Sequence, residues 1–412
     1  MAEGVRVLHV SQPTDGGVAV YVAQAAADQA RRGWDVAVAC PETRVGRDGL
    51  PARLAESGVP HIPWNAGRSP GPRTLDEARA LRWIVRYFAP DVLHLHSAKA
   101  GLAGRLLRPA GTRRPATIFQ PHGWSWLAAT GAGAAAALRW ERHAARRRTD
   151  ALVCVGSGEL RLGEDAGVRG PYRLVRNGVD RSLFTPAGDA ERRAARAALG
   201  LPADAPLAVC VGRLTRQKGQ DVLLAAWPAV RERCPRALLA LVGDGDDLPR
   251  LRRAADGLPG VLFVPPMPDT RAWLAAAHLV VLPSRWEGLP LVALEALARG
   301  RSLVCSDVPG LAEVLPYGAG ALVPPEEPGA LAAELVSRLA RPEDVDAEGR
   351  AGAVASEGFD LSGTLGLLSA LTAELAGRGP VPVPSGDAGT ESGVAAGRAG
   401  DAFPPLPPNS SR

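Results

Sequence analysis

Short apolar runs alternate with amphipathic stretches of about 10–16 residues along almost the whole chain, the arrangement that parallel α/β sheets leave in a sequence. The first run is Val5-Arg6-Val7-Leu8-His9-Val10. The pattern predicts strands at 5–10, 34–40, 61–64, 91–96, 117–120, 151–155 and 172–176, with helices near 17–32, 75–88, 99–108, 133–148 and 158–165. A second series opens at 206–211 and continues at 237–242, 261–264, 279–282, 302–305 and 320–323. Its helices are expected near 219–233, 269–276, 287–299 and 328–340.

Asn177-Gly178-Val179-Asp180 is a turn signal between the two series, and 181–205 reads as a connection with one short helix. Two doubly wound sheets in tandem leave a cleft, with ligands beyond the carboxyl ends of the strands. The expected units are 1–180, 181–358, a last helix within 359–378, and a tail at 379–412. Proline and glycine are so frequent in that tail that disorder is expected there.

Length agrees with this division, since 412 residues exceed one core at about 150 residues per domain. Hydrophobic residues at 46% and charged residues at 22% exclude a disordered, collagen-like or disulfide-built chain. Cys40, Cys154, Cys210, Cys234 and Cys305 include no CxxC pair, so a zinc or redox couple is not expected. Neither a signal peptide nor an apolar run of about 20 residues is visible. The expectation is a cytoplasmic protein that at most rests on a membrane. A formal charge of +5 does not call for a nucleic-acid partner. Among 48 Lys and Arg, only Lys99 and Lys218 are lysine, which marks them as places where a compact ammonium is needed.

The strongest local signal is Pro283-Ser284-Arg285-Trp286-Glu287-Gly288-Leu289-Pro290-Leu291-Val292-Ala293-Leu294-Glu295-Ala296, after the run Leu279-Val280-Val281-Leu282. Glu287 falls in a strand-to-helix turn and Glu295 inside the helix. Gly288 would let a ligand approach the backbone, and a carboxylate among Leu291, Val292, Leu294 and Leu297 needs partners. Next, Val211-Gly212-Arg213-Leu214-Thr215-Arg216-Gln217-Lys218-Gly219 puts two cations on a glycine-flanked loop before a helix, which suits a diphosphate. No complete GxGxxG follows the first strand of either unit, which disfavours a dehydrogenase. In the first unit, Asp15-Gly16-Gly17-Val18-Ala19 offers backbone amides to a phosphate.

The glutamate pair with its surroundings resembles the E-x7-E motif of retaining GT4-type glycosyltransferases of the GT-B fold. The resemblance covers about residues 5–376 and implies two Rossmann-like domains facing a cleft, with the last helix crossing back to the first. It implies that Glu295 binds the ribose of a nucleotide sugar and Glu287 the sugar hydroxyls, with Ser284, Gly288 and Leu289 around them. Arg213 and Lys218 would clamp the pyrophosphate, and Gly16 and Gly17 would approach the same phosphates. Gly243-Asp244-Gly245-Asp246 matches the family's GDG loop, so Gly243 and Gly245 shape the loop near the base and Asp244 and Asp246 are not expected to bind metal. His122, in Pro121-His122-Gly123, matches a position that contacts the donor sugar. The implied activity is retaining, metal-independent transfer of a hexose from a nucleoside diphosphate sugar, UDP favoured, to a glycan or polyprenyl- or lipid-linked acceptor. No cofactor is expected. An epimerase on the same architecture and a catalytically silent sugar-nucleotide-binding subunit are the alternatives.

Three features lie outside that core. His94 and His96 alternate onto one strand face. They read either as hydrogen-bonded core histidines or as acceptor-side polar groups; a metal site would need a third ligand, and none is evident. Lys99 is expected at the mouth of the following loop, meeting an acceptor phosphate or carboxylate. Arg139-Trp140-Glu141-Arg142-His143-Ala144-Ala145-Arg146-Arg147-Arg148 is either a solvated helix face or a patch for anionic membrane, with Trp124, Trp126 and Trp140 as anchors.

Overall fold

A computed structural model describes residues 4–42, 49–106 and 114–378. The first sheet contains β1 (Arg6–Ser11), β2 (Asp35–Cys40), β3 (His61–Pro63), β4 (Val92–His96), β5 (Ala116–Gln120), β6 (Ala151–Cys154) and β7 (Tyr172–Leu174). All pairs are parallel, in the order β3-β2-β1-β4-β5-β6-β7. The second contains β8 (Leu207–Val211), β9 (Leu238–Val242), β10 (Val261–Val264), β11 (Leu279–Leu282), β12 (Ser302–Ser306) and β13 (Gly320–Val323), in the order β10-β9-β8-β11-β12-β13. All thirteen expected strands are present. Each sheet is wound outward in both directions from its first strand, so the loops after β1 and β4, and after β8 and β11, diverge at a switch point.

The helix expected at 287–299 begins only at Leu291. Pro290, extended at φ −73° and ψ 126°, cannot donate into a helical ladder and keeps the preceding residue out of helical conformation. Glu287 to Pro290 therefore form an irregular turn over the end of β11. Four helices lie outside the expected set, Leu50–Glu56, Leu248–Ala254, Pro309–Val314 and Pro342–Ala355. Each carries proline at its first or second position, where the missing N–H costs nothing, but the first three are too short for a helical period to show. The helix expected at 99–108 spans Ser97–Leu106, and both its last two positions and the tail at 379–412 lie outside the described residues.

The last helix, Leu361–Leu375, starts where Asp360 accepts hydrogen bonds from the Ser362 and Gly363 amides. Its Leu365, Leu368 and Leu371 pack with Tyr21, Val92, Ile118 and Val153 of the first unit. After completing the second sheet, the chain thus returns to cover the first, and each leucine so buried contributes about 1.5–3 kcal/mol. The two halves also meet directly, where Val155 and Val179 pack with Leu282, Leu289 and Leu294. Polar ties flank that contact, Arg176 Nε to Glu313 Oε1 at 2.7 Å and Asn177 Nδ2 donating to the Leu289 carbonyl at 2.6 Å. All five cysteines are buried and unpaired. Among the described residues no helix is long and apolar enough to cross a membrane.

Candidate active site

After β8 the chain turns over the carboxyl end of the sheet through Gly212–Gly219. Gly219 has φ 67°, and a Cβ there would lie 1.9 Å from the Pro283 carbonyl oxygen, so only glycine lets this loop settle on the one that follows β11. The consequence is a contact between two distant motifs: Lys218 Nζ donates to Glu287 Oε1 at 2.6 Å, both side chains largely buried. Arg213 shares the loop and reaches Gln217 Oε1 at 3.4 Å. Burial, then the cation of Arg68, holds its pKa below the ordinary guanidinium value, against the attraction of Asp15, Glu287 and Asp246.

The first unit closes the other side. A Cβ on Gly16 would lie 3.9 Å from Arg213 Cδ, and one on Gly17 would lie 3.7 Å from Leu291 Cδ1. The double-glycine loop therefore faces both the cation loop and the helix that carries Glu295. Arg68 crosses the cleft to Asp246, Nη1 to Oδ2 at 3.2 Å. Sequence reasoning missed Arg68, whose only signal is a cation in the loop after β3.

Gly243 (φ 146°) and Gly245 seat the loop after β9 against the cation loop, where added Cβ atoms would come within 2.1 Å of Gly212 O and 2.3 Å of Leu214 O. The adjoining acids have partners within the protein. Asp244 Oδ1 accepts from the Gly245 amide at 2.7 Å, and Asp246 holds Arg68.

Glu295 lies inside the helix Leu291–Ala298. Burial, then the charge of Asp269, pushes its pKa up to about 7, and Arg53 opposes this from the first unit. Among the described residues no side chain hydrogen-bonds its carboxylate, so none of them supplies the partner expected for it. Ser284 is fully buried, its Oγ without a partner among the described residues.

Two donor-side expectations need correcting. Gly288 does not leave room for a ligand here: a Cβ would lie 2.9 Å from Val155 Cγ2 and 3.5 Å from the Gly123 amide, so what approaches its backbone is the first unit. Leu289 is 2% exposed and belongs to the apolar contact between the halves.

His122 follows β5 with φ 53°, an uncommon conformation for a residue other than glycine. The turn is anchored by Glu159, another residue the sequence did not single out, whose carboxylate accepts from the Gly123 amide at 2.5 Å and the Val155 amide at 2.8 Å. Burial lifts the Glu159 pKa to about 7 despite those two donors.

Of the roles open to His94 and His96, burial selects the core one. Both are 0% exposed, and His94 pairs with Gln120 at 3.0 Å. The third histidine that the sequence did not reveal is His9, level with His94 on the neighbouring strand. Lys99 is not at an open mouth either. It is 4% exposed, 2.5 Å from Glu77 Oε2, and donates to the Ser69 carbonyl and Thr74 Oγ1, each at 3.1 Å. A fully engaged ammonium is a structural tie between helix and loop.

Two of the three expected membrane anchors, Trp124 and Trp126, are corrected likewise. Trp124 is 2% exposed and donates to the Glu159 carbonyl, with Trp126 stacked on it. Glu141 turns inward to a buried pair with Arg105, and Arg148 donates to the Arg105 and Leu106 carbonyls. Arg139 and Arg146 remain exposed.

Residues 15–183 match the model of Glycosyltransferase Family 4, and residues 205–341 match that of Glycosyl transferases group 1. The chain is 32% identical over 362 residues to a GDP-mannose-dependent alpha-(1-6)-phosphatidylinositol monomannoside mannosyltransferase of Mycolicibacterium smegmatis, covering 82% of this chain and 90% of that protein. The fold superimposes on sucrose-phosphate synthase from Thermosynechococcus elongatus with a TM-score of 0.76 at 25% identity, covering 90% of this chain and 99% of the other. Anabaena HepE in complex with UDP-glucose gives 0.76 at 20% identity, covering 89% and 99%. With two parallel doubly wound sheets, a returning last helix and these relatives, the chain belongs to glycosyltransferase family 4 and is a glycosyltransferase of the GT-B fold.

Proposed function

We propose that the chain transfers a hexose from a nucleoside diphosphate sugar to a glycan or lipid-linked acceptor, with retained anomeric configuration and without a bound metal. The observation that carries this reading is the contact of Lys218 with Glu287, beside Arg213 and facing Gly16 across the cleft. Arg213 and Lys218 bind the diphosphate, aided by amides of the Gly16–Gly17 turn. As the glycosidic bond to phosphate breaks, negative charge grows on the leaving diphosphate, and fixed cations stabilise it more than they stabilise the ground state. Lys218 can then exchange Glu287 for phosphate, freeing the Glu287 carboxylate to accept from sugar hydroxyls.

Glu295, which has no side-chain donor among the described residues, takes the ribose diol, while Gly243 and Gly245 shape the loop near the base. His122 contacts the donor sugar. Two names support the donor class: one relative is called GDP-mannose-dependent and one fold neighbour was solved with UDP-glucose. UDP, favoured by the family resemblance alone, and GDP are therefore both tested. The relative named for a phosphatidylinositol monomannoside supports a lipid-linked acceptor, and Arg139 and Arg146 supply a positive helix face toward an anionic membrane.

The test is nucleotide release from UDP-glucose and GDP-mannose by the purified chain, with and without EDTA, followed by the anomeric configuration of the product. Binding of neither nucleotide sugar, or an inverted product, overturns the reading. Conversion of the donor sugar to an epimer without acceptor selects the epimerase instead.

A further inference from the structure

Four of the seven histidines, His9, His94, His96 and His122, gather on one face of the first sheet although they come from β1, β4 and the turn after β5. Their rings pack together: His9 stacks on His96 at 5.2 Å and His96 on His122 at 5.4 Å between centroids, with His94 tilted against His96 at 4.0 Å. Three of them form a continuous hydrogen-bonded line. His122 Nε2 lies 3.1 Å from His96 Nδ1, His96 Nε2 lies 3.0 Å from His9 Nδ1, and His9 Nε2 lies 2.8 Å from Gln29 Oε1. Beyond Gln29, its Nε2 reaches Thr372 Oγ1 on the last helix at 3.5 Å.

The direction of every bond in this line follows from its far end. Thr372 Oγ1 donates its proton to the Leu368 carbonyl at 2.8 Å, so toward Gln29 it can only accept. That turns the Gln29 amide with Nε2 to Thr372 and Oε1 to His9. A carbonyl oxygen cannot donate, so His9 must be protonated on Nε2. A neutral ring then offers a lone pair at Nδ1, which requires Nε2–H on His96, and by the same step Nε2–H on His122. Burial keeps the rings neutral, lowering His9 to about 4, His122 to about 3 and His96 well below its usual range. His94 stands beside the line, its Nε2 engaged by Gln120 and its Nδ1 without a partner among the described residues.

We propose that Gln29 and Thr372 are positioning residues that fix His122 as its Nε2–H tautomer, leaving Nδ1 as a hydrogen-bond acceptor for a hydroxyl of the bound sugar. This rests on the donor-sugar role of His122 given above. Reversing the Gln29 amide would reverse each bond in turn and convert Nδ1 of His122 from acceptor to donor. The last helix, which belongs to neither sheet, thus sets the chemistry of a cleft residue through four side chains. Candidate ligand nitrogens of His9, His94 and His96 lie within 4.8 Å of one another. However, both nitrogens of His9 and of His96 and Nε2 of His94 already hydrogen-bond one another, His122, Gln29 or Gln120, so the three rings do not leave lone pairs aimed at one point as a tetrahedral ion requires.

The experiment records the ring nitrogens of the full chain labelled with 15N-histidine, without substrate, assigning His122 by its loss in His122→Gln. Wild type is expected to show a protonated Nε2 and a lone pair on Nδ1. Thr372→Val, of equal shape but unable to accept, should populate both tautomers of His122 and lower nucleotide release about tenfold; Thr372→Ser should restore both. Gln29→Leu reads the same effect if Thr372→Val fails to fold. A protonated Nδ1 in wild type, an unchanged His122 spectrum in both variants, or one equivalent of zinc that disappears in His9→Gln overturns the proposal. Nucleotide release that survives His122→Gln overturns the donor-sugar role instead, and the spectrum still decides the tautomer.

Discussion

Lys218 and Glu287, 69 positions apart, are joined by a 2.6 Å ammonium–carboxylate hydrogen bond in which both side chains are largely withdrawn from water. The pair ties the loop after β8 to the turn after β11, so the two strongest motifs act as one object. A buried pair of this kind makes each partner costly to remove alone.

Lys218→Ala should therefore do two separable things. Turnover should fall about 10²–10³-fold, the loss typical of removing a donor to developing charge, and far more than in Glu295→Asp. Stability should fall by about 1–3 kcal/mol because Glu287 is left without its cation. Adding Glu287→Gln should recover stability in urea unfolding but not nucleotide release. Equal losses of turnover in Lys218→Ala and Glu295→Asp would argue against a phosphate clamp.

Glu295 has a pH signature. Its folded pKa, about 7 against 4.5 for an unperturbed carboxyl, is raised, so the folded state holds the proton more tightly than the unfolded one. Its ionisation penalty is absent below about pH 4.5, grows as pH rises toward 7, and is constant above that. Glu295→Gln should raise Tm relative to wild type at pH 8 and leave it unchanged at pH 4.5. A ribose diol that donates to the carboxylate would favour the ionised form, so nucleotide binding should release a proton near pH 6.5. Calorimetry in buffers of different ionisation enthalpy measures that release.

The last helix should be indispensable to the first unit. Leu368, 1% exposed against Tyr21, Val92 and Ile118, should cost about 2–5 kcal/mol when replaced by alanine. Denaturant unfolding followed by tryptophan fluorescence checks this.

Membrane contact is best tested on Arg139 and Arg146. Arg148 serves the backbone of the neighbouring helix and would confound the result. Each exposed arginine is expected to contribute about 1 kcal/mol of attraction to anionic vesicles. Arg139→Ala with Arg146→Ala should lower co-sedimentation with phosphatidylserine vesicles and leave neutral vesicles unaffected.

What the chain determined by itself was everything that depends on near neighbours. Apolar runs of strand length marked all thirteen strands, and glycines and cations between strand and helix marked the loops of the cleft. Short, proline-led helices escaped because one or two turns carry no period. Tertiary structure alone decided which distant groups meet. His9 and His94 come level only because β1 and β4 are adjacent in register, Lys99 is buried because Glu77 lies beneath it, and Arg68 enters the cleft because the halves face one another. Pattern in sequence reports burial and local conformation; strand order and the docking of two sheets are set by the packing of surfaces far apart along the chain, and no local pattern encodes them.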